Sequence, residues 1–202
     1  GAGFQHAELR DIRWYDLNLS GANLYKATFL GAELGSPDIS RARCVDANFS
    51  KATIHDARLC DSDFSGAAFH QADLSLSDFS DSILQSAHLG GATLRSTQFD
   101  RADLCRSMLD DSDLTRASFF QAVLQDADLS GATLTDTIFH AANLRNADLS
   151  ETRGLQSKAL GRANVSDAKL PDEIAKFEGV GLVNEATENA RKLFVASGLA
   201  CA

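Results

Sequence analysis

The chain has 202 residues, of which 44% are hydrophobic and only two are proline, and it carries a net charge of −9 at neutral pH. That length holds one or at most two domains, the composition excludes a disordered or collagen-like chain, and the negative charge argues against direct contact with nucleic acid. The sequence holds no run of 18 apolar residues and no signal peptide. It starts at Gly1, already inside the repeat described next, so we expect a domain excised from a longer protein.

From Phe4 to Leu149 every fifth residue is apolar without a slip: Phe4, Leu9, Trp14, Leu19, Leu24 and onward to Leu144 and Leu149. Two residues before each stands a small side chain, as at Ala22, Ala27, Ala47, Ser62 and Ala147, with Ile12, Leu17 and Pro37 as exceptions. A period of five fits neither a helix nor a flat strand. It fits a chain that turns a corner every five residues and sends one large and one small side chain inward per side, because a second large one would overfill the interior.

The units "GANLY", "QADLS", "RADLC", "DADLS", "AANLR" and "NADLS" resemble the pentapeptide-repeat family, whose unit reads A(D/N)LxX. The resemblance implies an all-β solenoid, a right-handed quadrilateral β-helix with four pentapeptides per coil. Coils stacked about 4.8 Å apart make about eight coils here, ending in a short C-terminal α-helical cap. We therefore divide the chain into a solenoid, residues 1–170, and a helical cap or linker, residues 171–202.

Residues twenty apart then stack on one face. Phe29, Phe49 and Phe69 form one column, and Phe79, Phe99, Phe119 and Phe139 another, two faces away; we read both as aromatic ladders that keep the volume per coil steady. Pro37 stands at an inward small site and lacks a backbone donor, so weakened pairing between coils and a distorted corner are expected there. At "ETRGLQSKALG" the register slips by one, and a loop or distorted corner is expected at 151–158 before Leu155, Leu160, Val165 and Leu170 resume the period.

Beyond Pro171 the pattern becomes helical: "PDEIAKFEGVG" opens with proline and acids, and Leu182, Val183, Ala186, Ala190, Leu193 and Phe194 share one helical face. Such helices would cover the open strand edge of the last coil. "KLFVASGLACA" could instead begin an apolar segment that continues past Ala202, the one route to a membrane contact. No comparable cap precedes Phe4, so either more chain lies upstream or that edge self-associates; dimerisation through a terminal coil or the C-terminal helix is expected.

Little in the sequence points to chemistry. His6, His55, His70, His88 and His140 scatter over the coil map, and we assign no metal ligand, catalytic residue or cofactor. Cys44 points inward, Cys60 and Cys105 outward, and four cysteines without C-x-x-C spacing fit reduced thiols in a bacterial cytoplasm. Asp63, Asp73, Asp78, Asp103, Asp113, Asp128 and Asp148 each stand just before a central apolar residue, where a carboxylate serves the structure by bonding nearby backbone at the corner. The half glycine-rich loop "GVGLVN" follows a helix, not a strand, and is rejected as a nucleotide site.

We expect a non-enzymatic structural or protein-interaction module. Its candidate contacts are outward apolar residues where polar ones belong: Tyr25, Val45, Leu76, Ile83, Phe120 and Val123, with Tyr15 a weaker one. The alternative implied by the resemblance is a DNA-mimicking protector or inhibitor of a type II topoisomerase. The whole charge of −9 does lie in residues 1–149, with 21 acids against 12 bases. DNA of the same length, about 38 Å, would carry about 22 charges, and the solenoid lacks the loop insertions that the drug-protecting relatives use.

Overall fold

A computed structural model describes residues 3–175. The N–H groups of one repeat explain the architecture. In the unit around Phe49, the Phe49 N–H donates to Ala68 O in the next coil (2.7 Å) and Lys51 N–H to His70 O in that coil (2.8 Å). Asn48 N–H donates to Ala27 O in the preceding coil (2.9 Å), and Ala52 N–H closes the corner on Phe49 O (3.1 Å). The fifth donor, Ser50 N–H, has no such backbone partner; the Asn48 side chain accepts it at 2.9 Å. Every backbone donor of a buried, stacked chain needs an acceptor, and the backbone bonds of this set recur along the molecule.

The corner residue two after each central one takes a left-handed conformation. Twenty-seven non-glycine residues and six glycines have φ between 41° and 74°, as the third residue of a type II turn requires. Ten of the twenty-seven are aspartates, a residue whose short polar side chain tolerates this region better than most.

Parallel bridges join residues twenty apart from Gly3↔Asn23 to Thr133↔Arg153, so four units complete each coil. The first face carries Leu24, Cys44, Phe64, Leu84, Leu104, Leu124 and Leu144 inward. The second carries Phe29, Phe49, Phe69, Leu89, Leu109, Leu129 and Leu149, the third Leu34, Ile54, Leu74, Leu94, Leu114 and Leu134, and the fourth Ile39, Leu59, Phe79, Phe99, Phe119 and Phe139, all buried. Phe4 and Leu9 are half-buried and Trp14 is 42% exposed, which corrects the expectation that all thirty are enclosed. These three sit in the first described coil, which has a neighbour on one side only.

Both ladders are present. Phe29, Phe49 and Phe69 stack at 4.9 and 5.2 Å between centroids, and Phe79, Phe99, Phe119 and Phe139 at 5.2, 4.9 and 5.1 Å. The change of face is made by Phe64, which lies on the face between the two and meets Phe69 at 5.5 Å and Phe79 at 5.4 Å, both edge-on. Phe69 and Phe79 themselves meet at 90° across the interior. Edge-to-face contact is the favourable way for rings approaching from different walls to share a narrow core.

Pro37 behaves differently from the expectation. Inter-coil bonds around it are intact: Asp38 N–H donates to Leu17 O and Arg58 N–H to Pro37 O, both at 2.9 Å. What a residue at the small site contributes is the corner bond, and that is the donor proline lacks. There the backbone runs on as a short strand, β2 (Glu33–Gly35), paired in parallel with β1 (Arg13–Tyr15) of the preceding coil.

The slip falls where expected. Gly154 adopts φ 74°, a 3-10 turn covers Ser157–Leu160, and afterwards bridges join residues 21 apart, Asn143↔Asn164 and Asp148↔Lys169. Leu160 and Val165 return to the core. A helix, α1 (Asp172–Ala175), starts behind Pro171, with Ile174 buried at its end. The second helical segment expected from the sequence lies outside the described residues.

Candidate functional site

The carboxylates do what their position in the repeat asks. Asp63, Asp73, Asp78, Asp103, Asp113, Asp128 and Asp148 each accept the N–H of the residue two further on, at 2.9 to 3.1 Å. Several also hold a cation: Arg95 reaches Asp113 at 2.7 Å and Lys169 reaches Asp148 at 2.6 Å. Away from this row, Arg101 grips Asp81 with two nitrogens at 2.7 and 2.6 Å. Burial raises the Asp148 pKa, but the Lys169 ammonium and the Ser150 hydroxyl and N–H outweigh it and hold the carboxyl at about 2.

Buried hydroxyls at the small inward sites are also engaged, a role that spacing alone does not reveal. Ser62 Oγ donates to Ile39 O (2.9 Å) and accepts Ala42 N–H (3.1 Å), and Ser77 does the same with Ile54 O and Ala57 N–H. Each hydroxyl thus closes the corner of the coil below. Thr137 donates to Leu114 O at 2.9 Å. Among the described residues no buried side-chain polar atom lacks a partner.

The outward apolar candidates separate into distinct places. Tyr25 and Val45 are half-buried neighbours in one column beside the first face. The Tyr25 ring is held by Arg43 at 4.8 Å, Lys26 at 5.2 Å and His6 edge-on at 5.5 Å. Ile83, 43% exposed, stands further along the same face. Val123 is buried at 5% exposure and is withdrawn as a contact. Leu76, 61% exposed, and Phe120, half-buried against His140 with centroids 5.9 Å apart, occupy two other corners. The candidates therefore do not form one patch. Met108 and Ile138, 44% and 49% exposed, are outward apolar residues that the sequence reading passes over; both occupy the position just before the central residue, where Asp or Asn often stands.

A groove of about 380 Å³ opens at the register slip, lined by Leu134, Asp136, Ile138, His140, Lys158 and Ala159. Thr137, also on its wall, is committed to Leu114 O. Among the described residues no three histidine, cysteine or carboxylate side chains converge on a metal position, and no helix is long and apolar enough to cross a membrane. Cys44 is buried and free, and burial pushes its thiol well above the usual range. Cys60 is half-exposed and free. Cys105 departs from the expectation of an outward, reduced thiol; it is fully buried and disulfide-bonded.

Comparison with known proteins agrees with this geometry. No curated protein matches the sequence. Among solved structures, trypsin-treated QnrB1, a plasmid-mediated fluoroquinolone resistance protein, superposes with a TM-score of 0.64 at 20% identity, over 89% of this chain and 92% of that one. HetL, a pentapeptide repeat protein involved in heterocyst differentiation regulation from Nostoc sp. strain PCC 7120, covers 84% of this chain and 91% of its own at 24% identity, with a TM-score of 0.36. At such identity the QnrB1 likeness speaks for the fold alone, a right-handed β-helix. The sequence model for pentapeptide repeats matches residues 42–81, 82–119 and 112–150, with eight copies. The chain belongs to the pentapeptide-repeat family.

Proposed function

We propose that the chain is a non-catalytic interaction module whose first face presents a fixed row of side chains to a protein partner. The observation that supports this most is the use of the interior. Its large side chains are close-packed and its hydroxyls are spent on corner carbonyls, while on the outside the row of aspartates before the central residues is spent on corner N–H groups, so the groups a reaction would need are already engaged. The first face carries Tyr25, fixed by Arg43 and Lys26, then Val45 and Ile83. An aromatic ring locked between cations with apolar neighbours is the composition of an interface anchor.

The test compares a partner's retention on three immobilised proteins: the wild type, a Tyr25→Ala/Ile83→Asp variant, and a Thr93→Glu variant altered on the third face. Loss of a partner only from the first-face variant, with melting temperatures matched, supports the reading. Equal retention on all three refutes it.

A second reading, occupation of a topoisomerase's DNA-binding surface, is favoured by one observation: residues 1–149 of the solenoid carry a net charge of −9. The likeness of fold to a fluoroquinolone resistance protein makes the assay obvious. Restored supercoiling by DNA gyrase in the presence of a quinolone would support this reading; no restoration at excess protein would dismiss it. The pairing of carboxylates with Arg95, Arg101 and Lys169 weakens the imitation of a uniformly charged phosphate backbone.

A further inference from the structure

On the second face the residue before the central one is Asn48, then Ala68, His88 and Met108, then Asp128. Three successive coils of this face therefore carry no Asx residue before the central one. Two of the three side chains that stand there, the His88 imidazole and the Met108 thioether, are metal-binding groups. His88 is bridged in register to Met108 on one side and Ala68 on the other, and the small Ala68 leaves room beside it for the ring of His70. The His70 and His88 rings lie 5.7 Å apart between centroids, tilted by 40°. Two imidazoles sharing one ion, with metal–nitrogen bonds of about 2.0 Å, have centroids roughly 4.5–6.4 Å apart.

The backbone supports one of the two rings. His70 Nδ1 lies 3.4 Å from Gly90 O. A carbonyl can only accept, so this contact puts the proton on Nδ1 and leaves the Nε2 lone pair free to bind, the usual support of a metal-bound histidine. His70 is exposed, His88 half-buried and Met108 44% exposed, so an ion can reach all three.

We propose that His70, His88 and Met108 bind Cu(I). Among the described residues no third histidine, thiolate or carboxylate joins the pair, which removes the donor set that zinc or a hard cation needs. The third donor is a thioether, and thioether with imidazole selects soft monovalent copper, which accepts two or three ligands. The three residues stand on successive coils of one face, where the bridged backbone fixes the spacing from which their side chains reach the ion.

Met108 is the only methionine in the chain, so its ε-methyl group reports the site without ambiguity. The full chain, labelled with carbon-13 at the methionine methyl and carrying Cys60→Ser to remove the free thiol that is accessible among the described residues, is titrated with Ag(I) as the redox-inert probe and then with Cu(I) under argon. We expect the methyl resonance to shift and saturate at about one ion per chain, and His70→Ala or His88→Ala to weaken binding by about tenfold or more. Met108→Leu should weaken Cu(I) binding but leave the weaker Ni(II) affinity of the histidine pair unchanged. A methyl signal that does not move beyond one equivalent, or one that moves equally in the His70→Ala/His88→Ala double variant, overturns the proposal.

Discussion

Asp63 shows how much a single residue type settles. Its carboxylate accepts both the N–H and the hydroxyl of Ser65, at 3.0 and 2.6 Å, and the frequency of Asp and Asn at this position makes that role legible in the sequence. Ser62, one residue earlier, is legible only as small. Its two bonds to the coil below depend on where the Ala42 N–H and Ile39 carbonyl point, which spacing does not state. Ser62→Ala should therefore lower stability by about 1–3 kcal/mol, because a buried donor and acceptor lose their partner. Ser107→Ala, whose hydroxyl bonds only its own corner carbonyl Leu104 O, should cost less; urea unfolding of the two variants measures the difference. The left-handed corner residues are also illegible, since charged and polar side chains occupy most of these positions and glycine, the usual signal, marks only five of them. A second residue-scale prediction concerns acid. The Asp148 carboxyl is held at about 2 against an ordinary 3.8. Its contribution to stability is present above the ordinary value and is lost as the pH falls through about 2. Asp148→Asn should flatten the fall in melting temperature between roughly pH 4 and pH 2, and an unchanged slope would dismiss the Lys169–Asp148 contact as a contributor.

At the scale of elements, the ladders and the slip are readable because both are statements about period. The bridge at Phe64 is readable only as an excess of phenylalanine in one coil; its edge-on geometry needs the positions of three walls. Phe119, stacked on both sides, should lose about 3–5 kcal/mol on replacement by alanine, as measured by chemical denaturation. Pro37 tests the opposite case. Since only the corner donor is missing and the inter-coil bonds are complete, Pro37→Ala should change stability by less than about 1 kcal/mol. A large loss would mean that proline, not the β1–β2 pairing, holds that corner. The reading of Pro37 as a weak point between coils fails because it assigns the missing N–H to the wrong bond.

For the molecule as a whole, period and residue size together specify a filled rod, and this is legible from the sequence almost entirely. The surface is less so. Outward apolar residues can be named, but exposure depends on what covers them: Val123 is buried, whereas Met108 and Ile138 stand in solvent. Which face meets a partner is a property of rows, and rows emerge only when the coils are stacked. The claim on which this account rests is that every twenty residues the chain returns above itself around a solid interior. A crystal structure at side-chain resolution tests it most directly at Phe79, Phe99, Phe119 and Phe139. The account predicts parallel rings about 5 Å apart in one column; rings that point to different faces, or that line a water-filled lumen, would contradict it.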